Sequence, residues 1–313
     1  MIDTANLMLS CDTGSARGNF MKEITPHLSG DVRERVFNSN PVLIGRLDNL
    51  NVVVSASYVR VGDGSLCKYY LGDNLKVMRR QDVQNCFEKI SDTLHVSFSG
   101  ARVTRLDWAE NFVMEKPITE YLNHFGTPAR GLRDRYSETC LYYHGMNGKT
   151  FCFYDKKAEM KSEVINPIWQ GKNVLRLEQR YTKHLARCLM IEDVTAKVLY
   201  EQDTYAKLTK MWANDILSIP LVNDFNLDIT KMKNKKDLYK MGVLCLCEKY
   251  GGQNALLALI KKEQEEGELT NKQAFDLKQA INEANNIENG FVEANEAMLE
   301  LQSKIKEVAL HSR

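Results

Sequence analysis

The 313-residue chain carries 42 basic and 41 acidic side chains, for a net charge of +1, and 43% of it is hydrophobic. That balance is globular, with material for one large domain or two ordinary ones. It creates no global field, so any surface for nucleic acid or membrane must come from local segregation of charge. Eight cysteines occur with no CxxC pair and no histidine at zinc-ligand spacing, a usage that reads as reduced, mostly buried thiols in a cytoplasm. No apolar run reaches the ~18–20 residues of a membrane span, and Asp3 stands where a secretory leader would be basic.

Ile2–Leu9 reads as an opening strand, and 11–49 as irregular chain punctuated by Gly14, Gly18, Gly30, Pro26 and Pro41. Leu50–Val61 is rich in β-branched residues; Gly62-Asp63-Gly64 is expected to turn it into a second strand, Leu66–Leu71. Val83, Phe87, Ile90 and Leu94 fall at helical spacing within Arg80–Leu94. Val103–Phe112 is a further strand, and Pro117 opens a short helix through Tyr121 and Phe125. Thr139–His144 and Thr150–Lys156 flank Gly145-Met146-Asn147-Gly148 as a hairpin, Val174–Arg180 is another strand, and 182–218 is helical. The expected architecture is α+β: a mostly antiparallel sheet with helices on one face, followed by an all-helical C-terminal domain. The divisions fall at 1–190, a connecting helix and linker at 191–222, and helices over 223–313, with Pro220 and Asn223–Asp228 marking the last boundary.

Alternation along the strands sorts side chains to two faces. Phe151 and Phe153 oppose Tyr154 and Lys156; Leu106, Trp108 and Phe112 oppose Arg105, Asp107 and Ala109; Leu175 and Leu177 oppose Arg176, Glu178 and Arg180. If the apolar sides share one helical layer, a single sheet surface collects Asp107, Tyr154, Lys156, Arg176, Glu178 and Arg180. One reading is a solvated face with cross-strand ion pairs. The other is a phosphate-handling site, because carboxylates bind a hard divalent cation and arginine binds phosphate oxygens bidentately. Arg130, Arg133, Arg135 and Tyr136 fall on an expected loop before the hairpin and are candidates to hold a DNA strand by charge and stacking.

Three motifs on these strands occur in order: Thr104-Arg105-Leu106-Asp107, Tyr154-Asp155-Lys156-Lys157-Ala158-Glu159, and Leu175-Arg176-Leu177-Glu178-Gln179-Arg180. Together with the opening Met1-Ile2-Asp3, they resemble the gene II/X replication initiators of filamentous phages and related plasmid initiators over roughly residues 1–190. The resemblance implies a rolling-circle initiator that nicks one origin strand through a tyrosine, forms a 5′-phosphotyrosine link, frees a 3′-OH primer and later rejoins the strand. Carried over by motif, Tyr154 is the nucleophile, Lys156 its phosphate or tyrosinate partner, and Asp107 and Glu178 are ligands of Mg²⁺ or Mn²⁺. Glu159 matches the motif without a role. Arg105, Arg176, Arg180, Arg133 and Arg135 are the DNA-binding candidates. The His-apolar-His metal motif of other rolling-circle nickases is absent, since His95-Val96-Ser97 does not supply it.

The implied partners are single-stranded or locally melted origin DNA and a host helicase and polymerase, with no membrane. The alternative is a non-catalytic origin-binding replication or regulatory protein on the same scaffold. Eight lysines between Lys231 and Lys262 stand against Asp237 and Glu248. The segment is either a helix-turn-helix-like DNA contact or a plain helical hairpin with lysines outward. Phe291, Ala294, Met298, Leu301, Ile305 and Val308 form a short heptad run, which serves either as packing within the chain or as a homo-oligomer seam.

Overall fold

The computed structural model describes residues 1–10, 20–37, 40–128, 131–146, 148–160, 167–222, 224–225, 229–286, 292–293 and 295–311. Cys11, Gly14, Gly18, Arg130, Asn147, Phe291, Ala294 and most of Asn223–Asp228 lie outside the described residues. Ten strands make one antiparallel sheet: β1 (Ile2–Ser10), β2 (Ser29–Phe37), β3 (Asn40–Leu47), β4 (Leu50–Val54), β5 (Tyr58–Gly62), β6 (Arg102–Met114), β7 (Leu132–Ser137), β8 (Cys140–Met146), β9 (Lys149–Asp155) and β10 (Asn173–Tyr181). Their spatial order is β2-β3-β4-β5-β1-β6-β10-β9-β8-β7. The helices are α1 (Phe20–Ile24), α2 (Leu66–Leu71), α3 (Arg80–Leu94), α4 (Ile118–His124), α5 (Lys156–Glu159), α6 (Leu185–Leu189), α7 (Ala196–Tyr200), α8 (Gln202–Leu217), α9 (Lys235–Lys249), α10 (Gln253–Glu265), α11 (Asn271–Ala284) and α12 (Glu296–His311).

Local chemistry explains where the elements depart from the pattern reading. Leu66–Leu71 is a helix and not a strand. Ser65 caps it by accepting from Lys68 N at 3.3 Å, and Gly72 ends it at φ 83°. The hairpin lies instead within Leu50–Val61, turned at Ser55, whose hydroxyl accepts from the Ser57 and Tyr58 amides. The segment expected to be irregular contains α1 and the β2–β3 hairpin; Pro41 pairs with Val36 near the hairpin end of β3, where a missing amide costs least. All nine β2 residues are exposed, so their polarity carries no burial alternation to read.

The core sits on one face. Leu106, Trp108, Leu175, Leu177, Phe151, Phe153, Leu141 and Tyr143 are buried there against α3, α8 and α4. The Phe125 and Phe153 rings lie 4.8 Å apart. Burial of such aromatic and aliphatic side chains contributes roughly 1.5–3 kcal/mol each.

The C-terminal helices do not form a single unit. Ala297, Met298, Leu301 and Ile305 of α12 are at most 2% exposed and belong to the sheet's own core. Of the two readings of the heptad stripe, packing within the chain accounts for Met298, Leu301 and Ile305. α9, α10 and α11 pack on one another through Cys247, Leu256, Ile260, Ala274 and Ile281, with Met241, Leu244 and Ala284 beside them. They are an excursion between α8 and α12: Asp224–Phe225 pairs with Val292–Glu293 where the chain leaves and returns. Asn254 and Asn282 fasten this excursion to the sheet unit through Phe125 and Thr127. Over 238–262 the chain forms α9 and α10, joined at Gly251-Gly252 and closed by α11, an arrangement common to both readings of the segment.

Candidate active site

The site face is assembled by register. On β10, Arg176 is paired with Tyr154 on one side and Asn111 on the other; Glu178 with Cys152 and Ala109; Arg180 with Thr150 and Asp107. Cross-strand partners project to the same side of a sheet. Tyr154, Arg176, Glu178, Arg180 and Asp107 therefore share the surface opposite the helical core, as alternation predicts. β1 extends it, with Thr4 opposite Asp107 and Asn6 opposite Arg105.

Glu178 is the hub. Its Oε2 accepts from the Tyr154 hydroxyl at 3.3 Å and from Arg176 Nε at 3.2 Å; its Oε1 accepts from Arg180 Nε at 2.5 Å. Asp107 is held by a bidentate arginine: Arg105 Nε donates to Oδ1 at 3.0 Å and Nη2 to Oδ2 at 2.6 Å. Asp107 and Glu178 are 2% and 3% exposed. Two acids buried this deeply are costly without partners, and three arginines supply them.

Arg176 departs from its expected role. It is 1% exposed, and its nitrogens are engaged by Glu178, by Asn111 Oδ1 at 3.1 Å and by Asp3 Oδ1 at 3.0 Å. It is an internal strut of the site, its nitrogens taken up by protein partners. Arg180 and Arg105, with side chains 29% and 33% exposed, keep access to solvent.

Lys156 also sits differently. The strand ends at Asp155, whose Oδ1 accepts from the Lys157 and Ala158 amides and caps α5. Lys156 is the first residue of that helix, so strand alternation does not aim it. Its Nζ lies 5.6 Å from the centre of the Tyr154 ring and donates to Glu159 Oε2 at 2.6 Å. Glu159 thereby acquires a role: it is the counter-ion of a buried ammonium.

Arg133 and Arg135 are on β7, not on a loop. Arg133 is in register with core-facing Tyr143 and points away from the site. Its guanidinium donates to Phe125 O at 3.0 Å and Leu122 O at 3.4 Å, satisfying the last carbonyls of α4. Arg135 donates to Glu138 O at 2.5 Å. Asn111, and Asp3 of the opening motif, join the site without having been given a role in it. Asn111 falls on the site-face parity of β6, which was the available signal. Asp3 lies within a register shift between Ile2 and Thr4, which simple alternation cannot see.

Burial sets the electrostatics. It pushes the Tyr154 phenol well above the ordinary tyrosine range, against the pull of the Arg176 charge. Burial lifts Asp107 from 3.8 to about 6, with the Glu178 charge adding to it and Arg105 opposing. Burial lowers Lys156, helped by Arg176 and opposed by Glu159. Among the described residues no three metal-ligating side chains converge. Two hard carboxylates do face one another's field, and Mg²⁺ is commonly bound by one or two carboxylates with water and phosphate oxygens completing its shell. The donor chemistry of Asp107 and Glu178 fits such an ion.

All seven cysteines among the described residues are free. No helix of the described residues is long and apolar enough to cross a membrane. No curated protein matches the chain. Residues 1–200 match the family model that describes the N-terminal part of the phage replication-associated protein of the gene II type. That match spans more than half of the chain, which belongs to this family.

Proposed function

We propose that this replication-associated protein initiates rolling-circle replication by nicking a DNA strand with Tyr154. The observation that carries this reading is the hydrogen bond from the Tyr154 hydroxyl to Glu178, on a face shared with Asp107, Arg105 and Arg180. A phenol becomes a nucleophile when a neighbouring base takes its proton. In the proposed step that proton passes by way of Glu178 to water, which leaves the carboxylate ionised. The phenolate oxygen attacks the phosphorus, the bond from phosphorus to the 3′ oxygen breaks, and the departing oxygen takes a proton from water. The products are a 5′-phosphotyrosine ester and a free 3′-OH. The ester retains the bond, so attack by a 3′-OH later restores the diester and returns the proton to Tyr154.

Arg180 and Arg105 would hold the phosphoryl oxygens, and Arg176 would orient Glu178 from the neighbouring same-face position on β10. Asp107 and Glu178 would hold Mg²⁺ or Mn²⁺, which when bound neutralises phosphoryl charge and favours the phenolate. The strand must be single-stranded or locally melted to reach the site. The 3′-OH is a primer for a host polymerase working with a helicase in the cytoplasm.

The test is incubation with single-stranded origin DNA and Mg²⁺ or Mn²⁺, followed by denaturing electrophoresis and peptide mapping. The expected result is a covalent adduct on Tyr154 that Tyr154→Phe abolishes. An adduct persisting in Tyr154→Phe would move the nucleophile to another tyrosine. Origin binding without an adduct under either ion would favour a non-catalytic initiator.

A further inference from the structure

We propose that the β7–β8 edge of the site face is a ledge on which unstacked bases of single-stranded DNA lie beside the reacting phosphate. This inference rests on the nicking reading and adds where the strand is held. The register carries the site face outward from Tyr154. Cys140 is paired with Tyr154, Tyr142 with Cys152 and with Asp134, and His144 with Leu132. The rings on this side form a continuous array. Tyr142 and His144 stack at 5.6 Å with their planes 3° apart, and Tyr136 meets Tyr142 edge-on at 6.0 Å. Tyr136 is 76% exposed.

These rings are not part of the core. Tyr143, the intervening residue, faces inward, is fully buried, and donates its hydroxyl to Gly126 O at 2.7 Å. The ledge rings instead lie on the polar side, where a hydrophobic payload does not serve the core. Every base offers a π-face, so an aromatic platform holds single strands with little regard to sequence.

Charge orients the strand on the ledge. The Arg180 guanidinium stands 5.8 Å from the Tyr142 ring centre on the side toward Glu178, where it attracts a phosphate. Exposed Asp134, in register with Tyr142, repels phosphate from the outer side. Bases therefore lie over the rings while the backbone runs toward Arg180 and Arg105. Tyr142 is one same-face step along β8 from Cys140, about 7 Å, so the ledge serves a nucleotide next to the one attacked.

The test uses the full chain carrying Tyr154→Phe, so that binding is read without chemistry. Anisotropy of labelled single strands is compared for this chain and for versions adding Tyr136→Ala with His144→Ala, or Tyr136→Phe. The alanine pair should weaken binding of a base-bearing strand by about tenfold or more. It should leave an abasic strand of the same length unaffected, and Tyr136→Phe should bind as the parent does. Equal affinity in the alanine version, or an equal loss on the abasic strand, overturns the ledge, provided circular dichroism shows the fold retained. Failure of the nicking reading is a separate outcome: the chain with Tyr154 intact would then form no adduct, whatever the ledge variants bind.

Discussion

Lys156 gives its ammonium to Glu159 Oε2 at 2.6 Å and presents it to the face of the Tyr154 ring, 5.6 Å from the centre, rather than to the hydroxyl. Lys156 is 1% exposed, whereas the Glu159 side chain is 53% exposed. The ion pair is therefore asymmetric: glutamate can return to water, but lysine cannot. Removing the carboxylate leaves a buried charge unpaired, and removing the ammonium leaves a solvated carboxylate. Glu159→Gln should destabilise by about 1–2 kcal/mol, a figure reduced for the solvent screening of an exposed partner. Lys156→Met should cost less. Urea unfolding of the two variants checks the order, and a larger loss in Lys156→Met would show that Glu159 is incidental.

The Tyr154 phenol should resist ionisation in the free protein. Its folded pKa is raised by burial, so the group favours folding below the unfolded value of ~10 and loses that contribution as pH rises through the folded value. Alkaline absorbance titrations of the wild type and Tyr154→Phe should coincide while both remain folded. They should differ by one tyrosine once both are unfolded in denaturant. A one-tyrosine difference near pH 10 in the folded proteins would mean the phenol is not held protonated. The positive charge of a phosphate-bound cation would then be less needed for the proposed chemistry.

Asp107 should make stability fall as pH rises. Its pKa is lifted from 3.8 to about 6, so the folded state holds this proton more tightly than the unfolded chain. The stabilisation is complete below pH 3.8 and is lost as pH climbs through 6. A shift of this size corresponds to about 3 kcal/mol. Asp107→Asn removes the penalty while weakening the Arg105 pair, so its stability relative to wild type should improve between pH 4 and pH 8 by up to about 3 kcal/mol. Thermal unfolding across that range decides it. The same variant should lose adduct formation, because in the proposed site a residue that costs stability is retained for its chemistry.

The polar face was legible because strand alternation depends only on local geometry. Asp107, Tyr154, Glu178 and Arg180 fell where parity put them. Reading failed where a capping side chain or a bulge intervened: Asp155 turned Lys156 into a helix residue, and the shift at Ile2–Thr4 concealed Asp3. Parity also cannot report depth. Arg176 and Arg180 occupy the same face of β10, yet Arg176 is saturated by Asp3, Asn111 and Glu178 while Arg180 remains accessible. Arg133 falls on a strand where a loop is expected, because an exposed edge strand, polar on both sides, carries no apolar alternation. The heptad run in α12 was visible, but its partner was not, since a stripe at 3.5-residue spacing fits the chain's own sheet layer as well as another helix.

That last element yields a test of the chain's architecture. α12 buries Met298, Leu301 and Ile305 in the sheet core. It is also tied down by polar contacts: the Tyr121 hydroxyl donates to Glu300, and Lys304 Nζ donates to Glu300 Oε1 at 2.6 Å and to Val113 O at 2.5 Å. Leu301→Ala should cost about 2–4 kcal/mol through lost burial and the cavity left behind. A chain ending at residue 286 should lose the cooperative melting of the sheet unit, although it retains every strand of the ten. Replacing 229–286 by a short glycine–serine linker should be tolerated far better, because Asp224–Phe225 and Val292–Glu293 already lie side by side and α9–α11 have their own apolar clusters. Thermal unfolding followed by circular dichroism separates the cases. If the truncated chain melts like the full one while the linker version does not, α12 is dispensable and the excursion is the structural element.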